Sequence, residues 1–259
     1  MAAGLGFYGS AVYMGFNVAR VLQQPSPDPR IALPSFQREL QRQFSYQSLA
    51  GKYDSELDFH ELLMGIGSLR KKLAQKATGR VLEVSCGTGR NVRYLIGNKS
   101  VEELHLADNS QEMLMEAKEK CPKTSMVKFH QQDCQQLRSC FPNASFDTVI
   151  DTFGLCSVED PVAMLREMAR VCKPDGRVYL LEHGRSATWP RLVNEYLDKS
   201  VTSHAEHYGC FHNRDIEALI KEARVFDVQG LETRNFGTTF IATLRPSRAD
   251  DIPHHKDDR

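Results

Sequence analysis

The chain has 259 residues, with 33 lysines and arginines against 33 aspartates and glutamates, so its formal net charge is zero. Apolar residues make up 41% and charged residues 25%, as in a globular protein long enough for a sizeable core. The charge balance argues against a generic polyanion binder, seven cysteines without a C-x-x-C argue against a disulfide framework, and collagen-like, disordered and polytopic membrane classes are excluded too.

Residues 1–19 carry no charged side chain, and Arg20 closes the run. That length can cross a bilayer core, so residues 1–20 are read as a single membrane anchor. No basic stretch precedes it, so a secretory signal fits poorly. Residues 21–43 contain prolines at 25, 27, 29 and 34 and are read as an extended linker. A folded domain is expected over 44–245, and the polar residues 246–259 read as a disordered tail.

From Thr78 onward strands and helices alternate. Arg80–Ser85, Leu104–Asp108, Met126–His130, Phe146–Asp151 and Arg177–Glu182 are predicted strands. Helices are predicted over 91–96, 111–120 with Ser110 as N-cap, and 161–172 with Pro161 in the first turn. This alternation implies right-handed crossovers and a parallel sheet. After a helix at 215–222 the pattern breaks: 226–233 and 238–244 read as an antiparallel hairpin. The expected fold is therefore α/β, a mostly parallel sheet closed by a hairpin.

The strongest local signal is VLEVSCGTGRNV, residues 81–92, between the first strand and the first helix. Glycines at that place let backbone approach a ligand, and the helix start offers unpaired N–H groups. The dinucleotide fingerprint requires a third glycine where Val92 stands, so a nicotinamide site is excluded. Asp108 ends the second strand, where a carboxylate can accept both ribose hydroxyls. Asp133 follows the third strand in a Gln-Asp-Cys sequence, placed to accept from an adenine amine.

Together, E-x-x-C-G-T-G (83–89), the strand-end Asp108, the Gln-Asp-Cys and the CKPDG at 172–176 resemble the class I S-adenosylmethionine-dependent methyltransferases. FSYQSLAGKYD (44–54) and residues 145–184 are similar to the ubiquinone/menaquinone methyltransferase branch. The stretch 196–216 looks like a fungal group anchored in the mitochondrial inner membrane by one N-terminal segment. The resemblance implies a seven-stranded Rossmann-like sheet and S-adenosyl-L-methionine as cofactor. It implies that Glu83, Ser85, Gly87 and Gly89 line the methionine moiety and that Asp108 holds the ribose. Asn109 and Met113 would flank the adenine, Asp133 and Cys134 would meet its edge, and Tyr53 would close over the cofactor. Asp151 and Thr152 would face the methionine end and the substrate. Two positions depart from the family. Ser85 replaces the first glycine and calls for an unstrained φ, and Cys156-Ser157 replaces an Arg-Asn pair, which argues against quinone C-methylation.

His204, His207, Cys210 and His212 lie within nine residues, but no zinc spacing is matched and no metal site is expected. Arg70-Lys71-Lys72 reads as a solvated helix face. Asp151, His183 and His204 are the candidate bases, with no choice among them. The expected activity is methyl transfer to a lipophilic small-molecule substrate by a membrane-tethered enzyme of the mitochondrial inner membrane, with a cytoplasmic location as the alternative and nothing favouring nucleic acid. The alternatives are a degenerate cofactor-binding scaffold in a membrane or ribonucleoprotein assembly, and an RNA or protein methyltransferase.

Overall fold

The computed structural model describes residues 18–24 and 35–247. Apolar runs become β1 (Gly79–Val84), β2 (Val101–Asp108), β3 (Val127–Gln131), β4 (Phe146–Thr152) and β5 (Cys172–His183), all paired in parallel. β6 (Phe226–Arg234) and β7 (Thr239–Pro246) form the antiparallel hairpin, and β7 also pairs antiparallel with β5. The sheet runs β3-β2-β1-β4-β5-β7-β6. β5 starts five residues earlier than predicted: Phe146 pairs with Cys172, but the next pairing joins Thr148 to Arg177. Pro-Asp-Gly at 174–176 thus falls at a break in register within the strand.

The helices are α1 (Ser35–Leu63), α2 (Ile66–Ala74), α3 (Val92–Ile96), α4 (Gln111–Lys120), α5 (Pro161–Val171), α6 (Pro190–Tyr208) and α7 (Ile216–Ala223). Side-chain caps fix three of the starts. The Ser110 hydroxyl accepts from Met113 N, Asp160 from Ala163 N and Asp215 from Ala218 N. Strand alternation splits the core into two layers. Leu82 and Val84 pack with Leu165 and Met168 of α5 and Ile216 and Ile220 of α7. Val81 and Leu106 pack on the other face with Leu73 of α2, Leu95 of α3 and Leu114 of α4. Each large side chain so buried contributes about 2 kcal/mol.

α1 is the main departure from the expected organisation. Residues 35–43, assigned to the linker, belong to this helix. Gly51 within it and the mixture of charged and aromatic residues hide the helical pattern. Among the described residues no helix is long and apolar enough to cross a membrane. Residues 1–17 of the expected anchor, the linker's prolines and the tail from 248 lie outside the described residues.

Candidate active site

Strand order reverses between β1 and β4, and at such a point the carboxyl ends of the strands diverge to leave a crevice. A cavity of about 730 Å³ opens there, running from the loop after β1 to the ends of β4 and β5. After Val84 the chain turns through Ser85 at φ 48°, Gly87 at 53° and Gly89 at 73°. A left-handed φ is open to glycine but costs a side-chain-bearing residue about 1 kcal/mol. Ser85 is therefore strained, contrary to the unstrained φ expected there. Its N–H donates to Cys134 Sγ at 3.3 Å. Across from it a Cβ on Gly154 would stand 2.7 Å from Ser85 Cβ and 2.2 Å from Asp151 Oδ1, so only glycine fits.

Backbone amides aim the Asp108 carboxylate. Gly87 N–H donates to one oxygen at 2.8 Å and Ser110 N–H to the other at 2.9 Å. Burial pushes this carboxyl above its usual range, against the pull of those amides. Glu83 lies behind the loop, 1% exposed, with one oxygen taking a 2.7 Å bond from Asn91 Nδ2 and the other without a partner. Burial raises its carboxyl to about 7, with the Asn91 bond pulling back.

α1 lies against the glycine loop through a row of carboxylates. Asp54 accepts from the Thr88 hydroxyl at 2.6 Å and pairs with Arg90 at 3.0 Å and with Lys120. Asp58 and Glu61 reach the same Arg90 at 2.8 and 3.0 Å. Burial works against the Asp54 charge, but Lys120, Thr88 and Arg90 outweigh it and hold the carboxyl below its usual range. Glu61 also pairs with Arg70 at 2.9 Å. Arg70 donates to Thr152 Oγ1 at 2.7 Å and to Asn91 Oδ1 at 3.2 Å, linking α2 to β4 and the glycine loop. With 5% exposure Arg70 is not on the solvated face assigned to it, whereas Lys71 and Lys72 are exposed.

At the other end of the cavity the groups are softer. Cys156 follows β4, His183 ends β5, and Cys210 follows α6, whose last turn is closed by Gly209 at φ 66°. Their ligating atoms all lie within 4.8 Å of one another, and His183 Nε2 is 3.0 Å from Cys210 Sγ. Burial raises the Cys156 thiol, but the Cys210 hydrogen bond and the His183 charge overcome it and hold the thiol well below its usual range. Burial works to lower His183; Cys156 outweighs it and raises the imidazole. His204 lines the same wall, and burial, then His212 and His183, lower it to about 3.

Of the residues singled out from the sequence, Tyr53, Ser85, Gly87, Asp108, Asn109, Met113, Asp133, Cys134, Thr152, His183 and His204 all line the cavity. Glu83, Gly89 and Asp151 do not line it. Asp151 is fully buried behind Gly154. Burial pushes Asp151 up to about 7, and burial together with the Asp151 charge holds Glu182 well above its usual range. The histidine-rich stretch does not act as one cluster. His204 faces the cavity, while His207 is more than half exposed and meets Glu56 at 3.2 Å. Sequence reasoning missed the Asp54, Asp58 and Glu61 row and the grouping of Cys156 and Cys210 with His183. The spacing of the three acids at one helix face was the available sign of the first. The second had only the strand-end positions of 156 and 183.

Residues 82–180 match the family described as a methyltransferase domain. Over 216 residues the chain is 33% identical to the mitochondrial methyltransferase OMS1 of Saccharomyces cerevisiae, covering 77% of this chain and 45% of that protein. It thus spans less than half the length of that relative. It is 31% identical to the ubiquinone/menaquinone biosynthesis C-methyltransferase UbiE of Pseudomonas fluorescens, covering 63% of this chain and 69% of that one. Among solved structures, that of DhpI in complex with SAH superposes with a TM-score of 0.56 at 21% identity, covering 81% of this chain and 97% of that one.

Proposed function

The chain belongs to the class I S-adenosylmethionine-dependent methyltransferases, in their ubiquinone methyltransferase-like branch, and we propose that it methylates a lipophilic small molecule in the mitochondrion. The residues present fit the cofactor, because a glycine loop and a carboxylate aimed by backbone amides meet at one edge of the cavity. Asp108 would accept the ribose hydroxyls, Asn109 and Met113 would flank the adenine, Asp133 would accept from its amine, and Ser85 and Gly87 would bound the methionine end. S-adenosylmethionine, when bound, supplies a sulfonium methyl with a neutral thioether leaving group.

The observation that carries the acceptor reading is the lining of the rest of the cavity. Tyr46, Leu57, Met64, Ile66, Phe153 and Val158 make it largely apolar. Arg70 and Arg90 also line it, but carboxylates of α1 neutralise both. Such walls suit an uncharged lipophilic acceptor and oppose a polyanion. In-line displacement depends chiefly on positioning. Here the α1 carboxylate row fixes that helix against the glycine loop. Asp151 stands outside the cavity and His204 is a weak base. His183 is held against the Cys210 thiol, so its role belongs with the cysteines.

The yeast relative is named as mitochondrial, which supports that location, and residues 1–20 would supply the membrane anchor. The test is incubation of the full chain with methyl-labelled S-adenosylmethionine and an organic extract of mitochondria. The reading expects label in the organic phase. Label confined to precipitated protein or RNA contradicts it.

A further inference from the structure

Two thiols and an imidazole from three separate elements meet at the acceptor end of the cavity. Their ligating atoms lie within 4.8 Å of one another. Both cysteines are free thiols, 1% and 5% exposed, and all three residues line the cavity wall. The surrounding backbone holds them in place. Phe211 N–H donates to Cys156 O at 2.9 Å. Arg214 donates to Leu155 O at 2.5 Å and to Val158 O at 2.7 Å. The loop carrying Cys156 is thereby tied to the segment carrying Cys210.

We propose that Cys156 Sγ, His183 Nε2 and Cys210 Sγ form a zinc site with its fourth position open to the cavity. A tetrahedral zinc with ordinary Zn–S and Zn–N bonds keeps its ligand atoms about 3.5–4 Å apart, a spacing this group reaches with small side-chain shifts. Two thiolates and a neutral imidazole balance the ion's charge, which a buried site requires. Structural zinc sites close with four protein ligands, while catalytic ones keep three and leave a place for substrate or water. The group found among the described residues is of the second kind.

An acceptor whose donor atom ionises, held at the open position, would be bound as its anion, its proton passing to solvent. That consequence rests on the methyl-transfer reading; the metal site does not.

The test uses the full chain, reduced, with its thiols counted and S-adenosylmethionine binding followed in parallel by calorimetry. After dialysis against zinc it should retain one zinc per chain, and the cobalt form should show sulfur-to-cobalt charge-transfer absorption. Cys156→Ser and Cys210→Ser should each weaken zinc binding by at least about 100-fold, since even changes behind the ligands cost 10- to 100-fold. His207→Ala, altered on the outer side of α6, should bind zinc as the parent does. A reduced chain that binds S-adenosylmethionine but takes up no zinc overturns the site, and so does full zinc retention in both serine variants. Zinc uptake without S-adenosylmethionine binding supports the site and defeats the methyl-transfer reading instead.

Discussion

On the β1–β3 side of the cavity, the groups that would meet the cofactor come largely from neighbouring turns. Asp108 is aimed by the amides of Gly87 and Ser110, and Met113 follows on the next helix. On the β4–β5 side, Cys156, His183, His204 and Cys210 come from a loop, a strand end, a helix and the turn that closes it. The first side is held largely by backbone N–H groups, those of Gly87 and Ser110 on Asp108 and that of Ser85 on Cys134. The second is held by side chains crossing between elements, with Arg70 reaching Thr152 of β4 and Arg214 reaching the loop after it. A site built from local turns tolerates a changed neighbour, whereas one built from long-range ties fails when a tie is cut.

Cutting such a tie should give the largest effect. Arg70→Leu leaves Glu61, Asn91 and Thr152 without their common donor. Breaking a buried ion pair costs about 3 kcal/mol, or a fall of about 6–12 °C in thermal midpoint for a domain of this size. A loss near zero would mean that Arg90 alone satisfies Glu61 and that the two sides are less coupled than the geometry says.

A medium effect concerns pH. The Glu83 carboxyl titrates near 4.5 when unfolded and at about 7 when folded. A raised folded pKa gives stability that is complete below pH 4.5 and lost as pH rises toward 7, by up to about 1.4 kcal/mol per pH unit. Glu83→Gln should remove this contribution and flatten urea midpoints measured between pH 4.5 and 7. An unchanged slope would assign the loss to Asp151, whose carboxyl is raised into the same range.

The smallest effect tests the glycine loop alone. Ser85→Gly should relieve the left-handed backbone and stabilise the chain by about 0.5–1 kcal/mol, leaving the β4–β5 side untouched. Chemical denaturation would show it, and destabilisation would mean that the Ser85 hydroxyl contributes more than its strain costs.

The same contrast explains what could be read from the sequence. Strand-to-turn-to-helix order, the Ser110 cap and the Asp108 position are consequences of neighbours in the chain, and they were legible. So was the closing hairpin, because its strands flank a short turn. α1 was not, because Gly51 and its mixed surface give no stripe, and its value lies in partners 29 and 34 residues away, Arg90 and Thr88. The strain at Ser85 needed a backbone angle, and the burial of Asp151 behind Gly154 needed packing. Cys156 and Cys210 are separated by two helices and a strand, so only the fold reveals them as neighbours.

Calorimetric titration of S-adenosylmethionine into the full chain, its Asp108→Ala variant and its Cys156→Ser variant tests the division of the cavity most directly. Loss of charge-assisted bonds to the ribose predicts about a 100-fold weaker affinity for Asp108→Ala, while Cys156→Ser should bind as the parent does. Equal affinity for the parent and Asp108→Ala, or a matching loss in Cys156→Ser, would contradict the assignment of the two sides.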